Sequence, residues 1–253
     1  STMNGDKEKN GLSSPQAYAD FAEQCLELGY KGYKMHGWST GNVKDEIEML
    51  KAVGDRVAGK MKIMYDAACH LNTLSDALEV GRVCDEYGFY WYEDPYKDGG
   101  VSINGNQVLV QKLSTPLLVG EHVRNLETSV DMLVNGSSFF SRADPDYDGG
   151  ITGSYKLVLA SEGLGVDCEI HSCGPPMRHL MAASRNSNFY EVNLLHPKCN
   201  NPWSLPVYDK NYDDLINCID KNGNVEVPTG PGLGVEYNWD YIRKNKLHTL
   251  EIS

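Results

Sequence analysis

The chain has 253 residues, carries 35 acidic side chains against 23 basic ones for a formal charge of -12, and is 41% hydrophobic. That is enough apolar material to bury a core, which excludes a disordered tail and a disulfide-stapled mini-protein. The negative charge repels phosphate backbones and anionic headgroups, no basic patch offsets it, and no apolar run approaches the roughly 18 residues that span a bilayer, so neither nucleic acid nor membrane is an expected partner. The seven cysteines, an odd number with no CxxC pair, fit free thiols in a reducing cytoplasm.

In chain order, Ser14-Pro15 reads as an N-cap and first helical residue, and Ala17, Phe21, Cys25 and Leu28 recur at helical spacing up to Gly29. Tyr30 to His36 reads as a strand. The alternation then repeats: strand Met61–Asp66, helix Thr73–Tyr87, strands Phe89–Glu93 and Leu117–Glu121, helix Leu126–Val134, strand Phe139–Asp144, helix Thr152–Leu164, strand Val166–His171, helix Met177–Ser184 and strand Phe189–Asn193. Strands alternating with helices imply βαβ crossovers and a parallel sheet. The length suits a TIM-type (β/α) barrel, which takes about 250 residues. Residues 1–195 are expected to form that barrel. Residues 196–253, rich in proline and glycine, are expected to wrap over it as an irregular extension of the same domain.

Ionisable residues close the predicted strands. His36, Asp66, Glu93, Glu121, Asp144, His171 and Glu191 follow one another at 30, 27, 28, 23, 27 and 20 residues, one βα unit per step. In a parallel barrel, residues at successive strand C-termini converge on one mouth. Asp66, Glu93 and Glu121 on consecutive strands would repel one another without a cation between them, and all-oxygen ligation favours a hard ion such as Mg²⁺. Strand alternation places Lys34, Arg142 and Glu169 two residues before His36, Asp144 and His171, one layer deeper in the same interior, as a buried ionic layer. His122 is expected to line the mouth, and Cys69, Cys173, His70 and His179 have no role assigned.

Lys34-Met35-His36, Tyr65-Asp66-Ala67, Trp91-Tyr92-Glu93-Asp94-Pro95, Gly120-Glu121, Asp144 followed by Gly149-Gly150-Ile151-Thr152-Gly153, and Glu169-Ile170-His171 resemble the barrel domain of the enolase superfamily, mandelate racemase subgroup. Pro231-Gly232-Leu233-Gly234-Val235 is similar to that group's C-terminal signature. The resemblance implies a modified (β/α)7β-like barrel. It makes Asp66, Glu93 and Glu121 magnesium ligands, Asp144 and His171 an Asp-His dyad, and Glu191 the acid that hydrogen-bonds the carboxylate of a small substrate. Lys34 and His36 fall at Lys-x-Lys positions on the opposite face, with His36 in place of the second lysine. The asparagine often found two residues after the first metal ligand is absent, and the chain is expected to lack the family's N-terminal capping domain. Family members commonly assemble as homo-oligomers.

The expected chemistry is Mg²⁺-dependent dehydration of an aldonate-type sugar acid to a 2-keto-3-deoxy acid, with His171 removing the α-proton. Racemisation or epimerisation of an α-substituted carboxylate, with Lys34 or His36 as second base, starts from the same intermediate. A barrel that binds acids without catalysis is the remaining alternative.

Overall fold

The computed structural model describes residues 11–38, 40–97, 101–192, 206–209 and 212–251. Six strands form one parallel sheet in the order β1-β2-β3-β4-β5-β6: Gly32–His36, Lys62–Asp66, Trp91–Glu93, Leu117–Val119, Phe140–Ala143 and Asp167–Ile170. Each is followed by a helix on the outside: α2 (Val43–Val57), α3 (Leu74–Tyr87), α4 (Ile103–Lys112), α5 (Leu126–Val134), α6 (Gly150–Gly163) and α7 (Pro175–Ala182). α1 (Pro15–Leu28) precedes β1, and α8 (Trp239–Asn245) lies near the C-terminus. This is the TIM-type α/β barrel, with six of its strands formed among the described residues.

Local signals explain most boundaries. The Ser14 side chain accepts from the Ala17 N–H at 3.1 Å, and Gly29 closes α1 at φ 100°. Thr73 and Asp76 cap the start of α3 reciprocally. Two helices, α2 and α4, carry no clear sequence signal. In α2, acidic and basic residues dilute an apolar stripe of Met49, Leu50, Val53 and Val57 that is fully buried. In α4, Gly105 and Asn106 are poor helix formers, and the Tyr96 hydroxyl packs where a Cβ of Gly105 would stand.

Strand alternation separates two environments. Outward residues Tyr33, Met35, Ile63, Tyr65, Tyr92 and Leu117 pack beneath the helices. Inward residues Met64, Trp91, Leu118 and Phe140 form an apolar floor closed by Phe189. The register carries this pattern from strand to strand: Met64 pairs with Trp91 and Asp66 with Glu93.

The expected strand at Phe189–Asn193 is not formed: Phe189–Val192 carries no ladder, and Asn193 lies outside the described residues. Side chains hold this segment instead. The Asn188 and Phe189 N–H groups donate to Glu169, and Asn188 Nδ2 donates to Glu169 Oε1 at 2.7 Å. Facing β1, the Phe189 ring crowds Gly32. A cavity of about 430 Å³ lies on this side, with Lys34, Arg142 and Glu191 in its wall. Residues 206–209 and 212–251 are mostly irregular, apart from a Tyr208–Tyr237 bridge and α8. They are tied to the barrel by Arg178, which donates to Glu226 O, Asp213 O and Asp214, and by the Tyr30 hydroxyl on Ile216 O.

Among the described residues, no helix is long and apolar enough to cross a membrane.

Candidate active site and metal centre

The strand C-termini bring the predicted residues together. His36, Asp66 and Glu93 are the last residues of β1, β2 and β3, while Asp144 and His171 stand one residue beyond β5 and β6. Glu121 lies two residues beyond β4, after Gly120, whose φ of 148° and close approach to the Arg142 backbone exclude a side chain. The four non-glycine residues with positive φ among those described, Ala68, Cys69, Asp94 and Ser172, all fall in these loops. Strain of this kind is stored where surrounding structure over-determines the backbone.

Carboxylate oxygens of Asp66, Glu93 and Glu121 lie within 4.8 Å of one another. Each is aimed by its neighbours. The Ala68 N–H donates to Asp66 Oδ1 at 2.8 Å, and the Trp91 indole, one layer down, donates to Glu93 Oε2 at 3.1 Å. Asp66 and Glu93 are fully buried. Glu93 Oε1 and Glu121 Oε2 are also buried, and their partners are charged groups: Arg142 Nη2 and His171 Nε2 stand 2.9 and 3.1 Å from them.

Two of the three members expected in an ionic layer beneath the mouth, Lys34 and Arg142, are there and share Glu93 and Glu191 as partners. Lys34 Nζ meets Glu93 at 2.9 Å, Glu191 at 2.9 Å and Asp66 at 3.4 Å. Arg142 Nη2 joins Glu93 at 2.9 Å to Glu191 at 2.7 Å. Glu169, by contrast, reaches no mouth residue and grips Asn188 and Phe189, so it fixes the segment that carries Glu191.

Electrostatics follow from this crowding. Burial raises the Asp66 carboxyl, but His36, 2.9 Å away, and Lys34 outweigh it and hold Asp66 well below the usual range. Burial raises Glu93 against the pull of Arg142 and Lys34. Burial would raise the Glu191 carboxyl, but Lys34 at 2.9 Å and Arg142 at 2.7 Å outweigh it and hold it well below the usual range. His171 Nδ1 lies 2.6 Å from Asp144 Oδ2, whose other oxygen is fixed by the Asp146 N–H at 2.8 Å. Burial disfavours the imidazolium, yet Asp144 and Glu121 prevail and push His171 up to about 10.

Six carboxylates (Asp66, Glu93, Asp94, Glu121, Asp144 and Glu191) thus share the mouth with two permanent cations, Lys34 and Arg142. Sequence reasoning missed Asp94. It follows the strand-closing Glu93, and a residue turned sideways at φ 38° leaves no periodic signal. The oxygen-only triad and the surplus of carboxylates over fixed cations fit a hard dication.

Known proteins agree with this architecture. Residues 17–241 match the enolase C-terminal domain-like family. Over 254 aligned residues the chain is 25% identical to the D-gluconate dehydratase of Thermoproteus tenax, covering 96% of this chain and 49% of that enzyme. It is 26% identical to an N-succinylamino acid racemase of Amycolatopsis sp, covering 83% of this chain and 54% of the relative. A crystal structure of D-glucarate dehydratase from Agrobacterium tumefaciens complexed with magnesium superposes with a TM-score of 0.87 at 29% identity, covering 98% of this chain and 64% of that one. The chain spans about half the length of the curated relatives it matches. With the family model covering nearly all of the barrel, the chain belongs to the enolase superfamily, mandelate racemase subgroup, as its C-terminal barrel domain.

Proposed function

We propose that the chain dehydrates an aldonate-type sugar acid to a 2-keto-3-deoxy acid with Mg²⁺ held by Asp66, Glu93 and Glu121. The observation that carries this reading is the convergence of those three carboxylates within 4.8 Å, with the His171-Asp144 pair against Glu121. When bound, the cation stabilises the negative charge that develops on the substrate carboxylate. Dehydratases among the relatives support the same class.

Within it, His171 Nε2 takes the α-proton while Asp144 holds Nδ1–H. The β-hydroxyl then leaves with that proton as water, and the resulting enol tautomerises to the 2-keto acid. Glu121, serving as a ligand, would be drawn away from His171 Nε2 and leave Asp144 as the carboxylate paired with the imidazole, which favours the neutral form a base requires. Lys34 and Arg142 keep a positive wall behind the carboxylates, and Glu191 anchors both. The same proposal takes residues 1–195 as the catalytic barrel and 196–253 as an extension of the same domain. It places the protein in the cytoplasm as a homo-oligomer acting on a small carboxylate.

Epimerisation is the second reading, and the geometry weakens one of its candidate bases. The Lys34 ammonium is surrounded by Asp66, Glu93 and Glu191, which favours keeping its proton, so the second base would have to be His36. Incubation with Mg²⁺ and a panel of sugar acids in D₂O separates the readings. Release of a 2-keto-3-deoxy acid is the expected result. Deuterium at the α-carbon without loss of water would establish epimerisation instead, and binding without either would leave an acid-binding barrel.

A further inference from the structure

Beside the carboxylate triad lies a second cluster for which the proposed reaction has no use. Cys69, Asp94 and His122 come from the loops after β2, β3 and β4, and a sulfur, a carboxylate oxygen and an imidazole nitrogen from them lie within 4.8 Å of one another. Asp94 forms the base of the cluster: it is 1% exposed, and neither of its carboxylate oxygens accepts a hydrogen bond among the described residues. His122 Nε2 stands 3.5 Å from Asp94 Oδ2, beyond hydrogen-bond length for a well-formed pair. A carboxylate at that depth carries its charge only when a cation engages it and otherwise holds a proton: burial and the neighbouring Glu121, Asp66 and Glu93 push the Asp94 carboxyl up. The loops are already pinned together, because the Cys69 N–H donates to Asp94 O at 2.9 Å. Cys69 and His122 are partly exposed, which gives an ion a way in.

We propose that Cys69, Asp94 and His122 form a second divalent-cation site, for a softer ion of the Zn²⁺ or Co²⁺ type, beside the hard-ion site. The donor set selects the ion: thiolate and imidazole suit Zn²⁺ and Co²⁺, whereas Mg²⁺ and Ca²⁺ prefer oxygen alone. Tetrahedral ligation with bonds of about 2.0–2.3 Å needs ligand atoms about 3.3–3.8 Å apart; His122 Nε2 and Asp94 Oδ2 are already 3.5 Å apart, and all three ligand atoms lie within 4.8 Å of one another. The thiol releases its proton to solvent as the bond forms. A fourth ligand is at hand in Glu121 Oε1, 3.2 Å from His122 Nε2, while Glu121 Oε2 faces His171. Glu121 therefore stands between the two sites and can bridge them.

Cobalt reads the ligand directly, because thiolate ligation gives a near-ultraviolet charge-transfer band and tetrahedral geometry gives intense visible bands. The full chain, saturated with Mg²⁺ to fill the hard site, is titrated with Co²⁺. One equivalent with a thiolate band is expected. Cys69→Ser should abolish the band, and His122→Ala should weaken Co²⁺ binding by roughly tenfold or more. Asp66→Asn, which impairs only the hard site, should retain the band, so failure of the proposed reaction and failure of this site are distinguishable. A wild-type titration without the band, or a band that survives Cys69→Ser, would overturn the proposal.

Discussion

Two layers of the barrel interior sit two residues apart on the same strands and obey different rules. Met64, Trp91, Leu118 and Phe140 make a floor in which burial alone is favourable. Along the same strands, Asp66, Glu93 and Arg142, with Lys34 from β1, make a layer in which burial is costly and each charge needs a partner. The floor tolerates loss of one member as a local cavity, whereas the charged layer is coupled, so removing one ion exposes several others. The Trp91 indole belongs to both, packing against Phe140 while donating to Glu93.

The comparison can be broken most forcefully above the charged layer. Asp144→Asn keeps the shape of the carboxylate but no longer fixes His171 Nδ1–H, and turnover should fall on the order of 10⁴-fold with little change in thermal stability. Turnover within about tenfold of wild type would remove His171 from the role of base.

Next come paired substitutions in the two layers. Lys34→Met leaves Glu93, Asp66 and Glu191 short of a cation and should cost about 3–5 kcal/mol in urea unfolding without divalent ions. Phe140→Ala should cost a similar amount, about 3–5 kcal/mol, through the cavity it opens. Added Mg²⁺ separates them. It should recover part of the Lys34→Met loss beyond its effect on wild type, and none of the Phe140→Ala loss. Equal responses would mean that the two layers are not electrostatically distinct.

A smaller effect is expected at Glu46, a buried carboxylate outside the barrel interior whose neighbours are neutral donors, the Trp38 N–H at 2.8 Å and the Tyr65 hydroxyl at 3.0 Å. Burial pushes it from 4.5 to about 7 against those two bonds. The folded state therefore binds more protons than the unfolded one between pH 4.5 and 7, and stability falls as pH rises through that window, by up to about 3 kcal/mol. Glu46→Gln should flatten this slope in unfolding measured across the window, and an unchanged slope would assign it to other groups.

The mouth was legible in the sequence because strand ends repeat at the pitch of a βα unit and alternation tells which residues share an interior. That logic located Asp66, Glu93, Glu121, Asp144 and His171, and the depth of Lys34 and Arg142. It failed where position depends on long-range contacts. Glu191 closes no strand. It is held by Lys34 and Arg142 from distant strands. Glu169 turned to Asn188 because the Phe189–Val192 segment forms no ladder there. The Cys69, Asp94 and His122 cluster was invisible because loops, not periodic elements, assemble it.

The central claim, that Asp66, Glu93 and Glu121 share one hard cation, is tested most directly by titrating the protein with Mn²⁺ and following free Mn²⁺ by electron paramagnetic resonance. One site per chain that Mg²⁺ displaces is expected, weakened by at least about tenfold in Glu93→Gln and in Glu121→Gln. Wild-type-like binding in both variants would show that the three carboxylates do not hold a common ion.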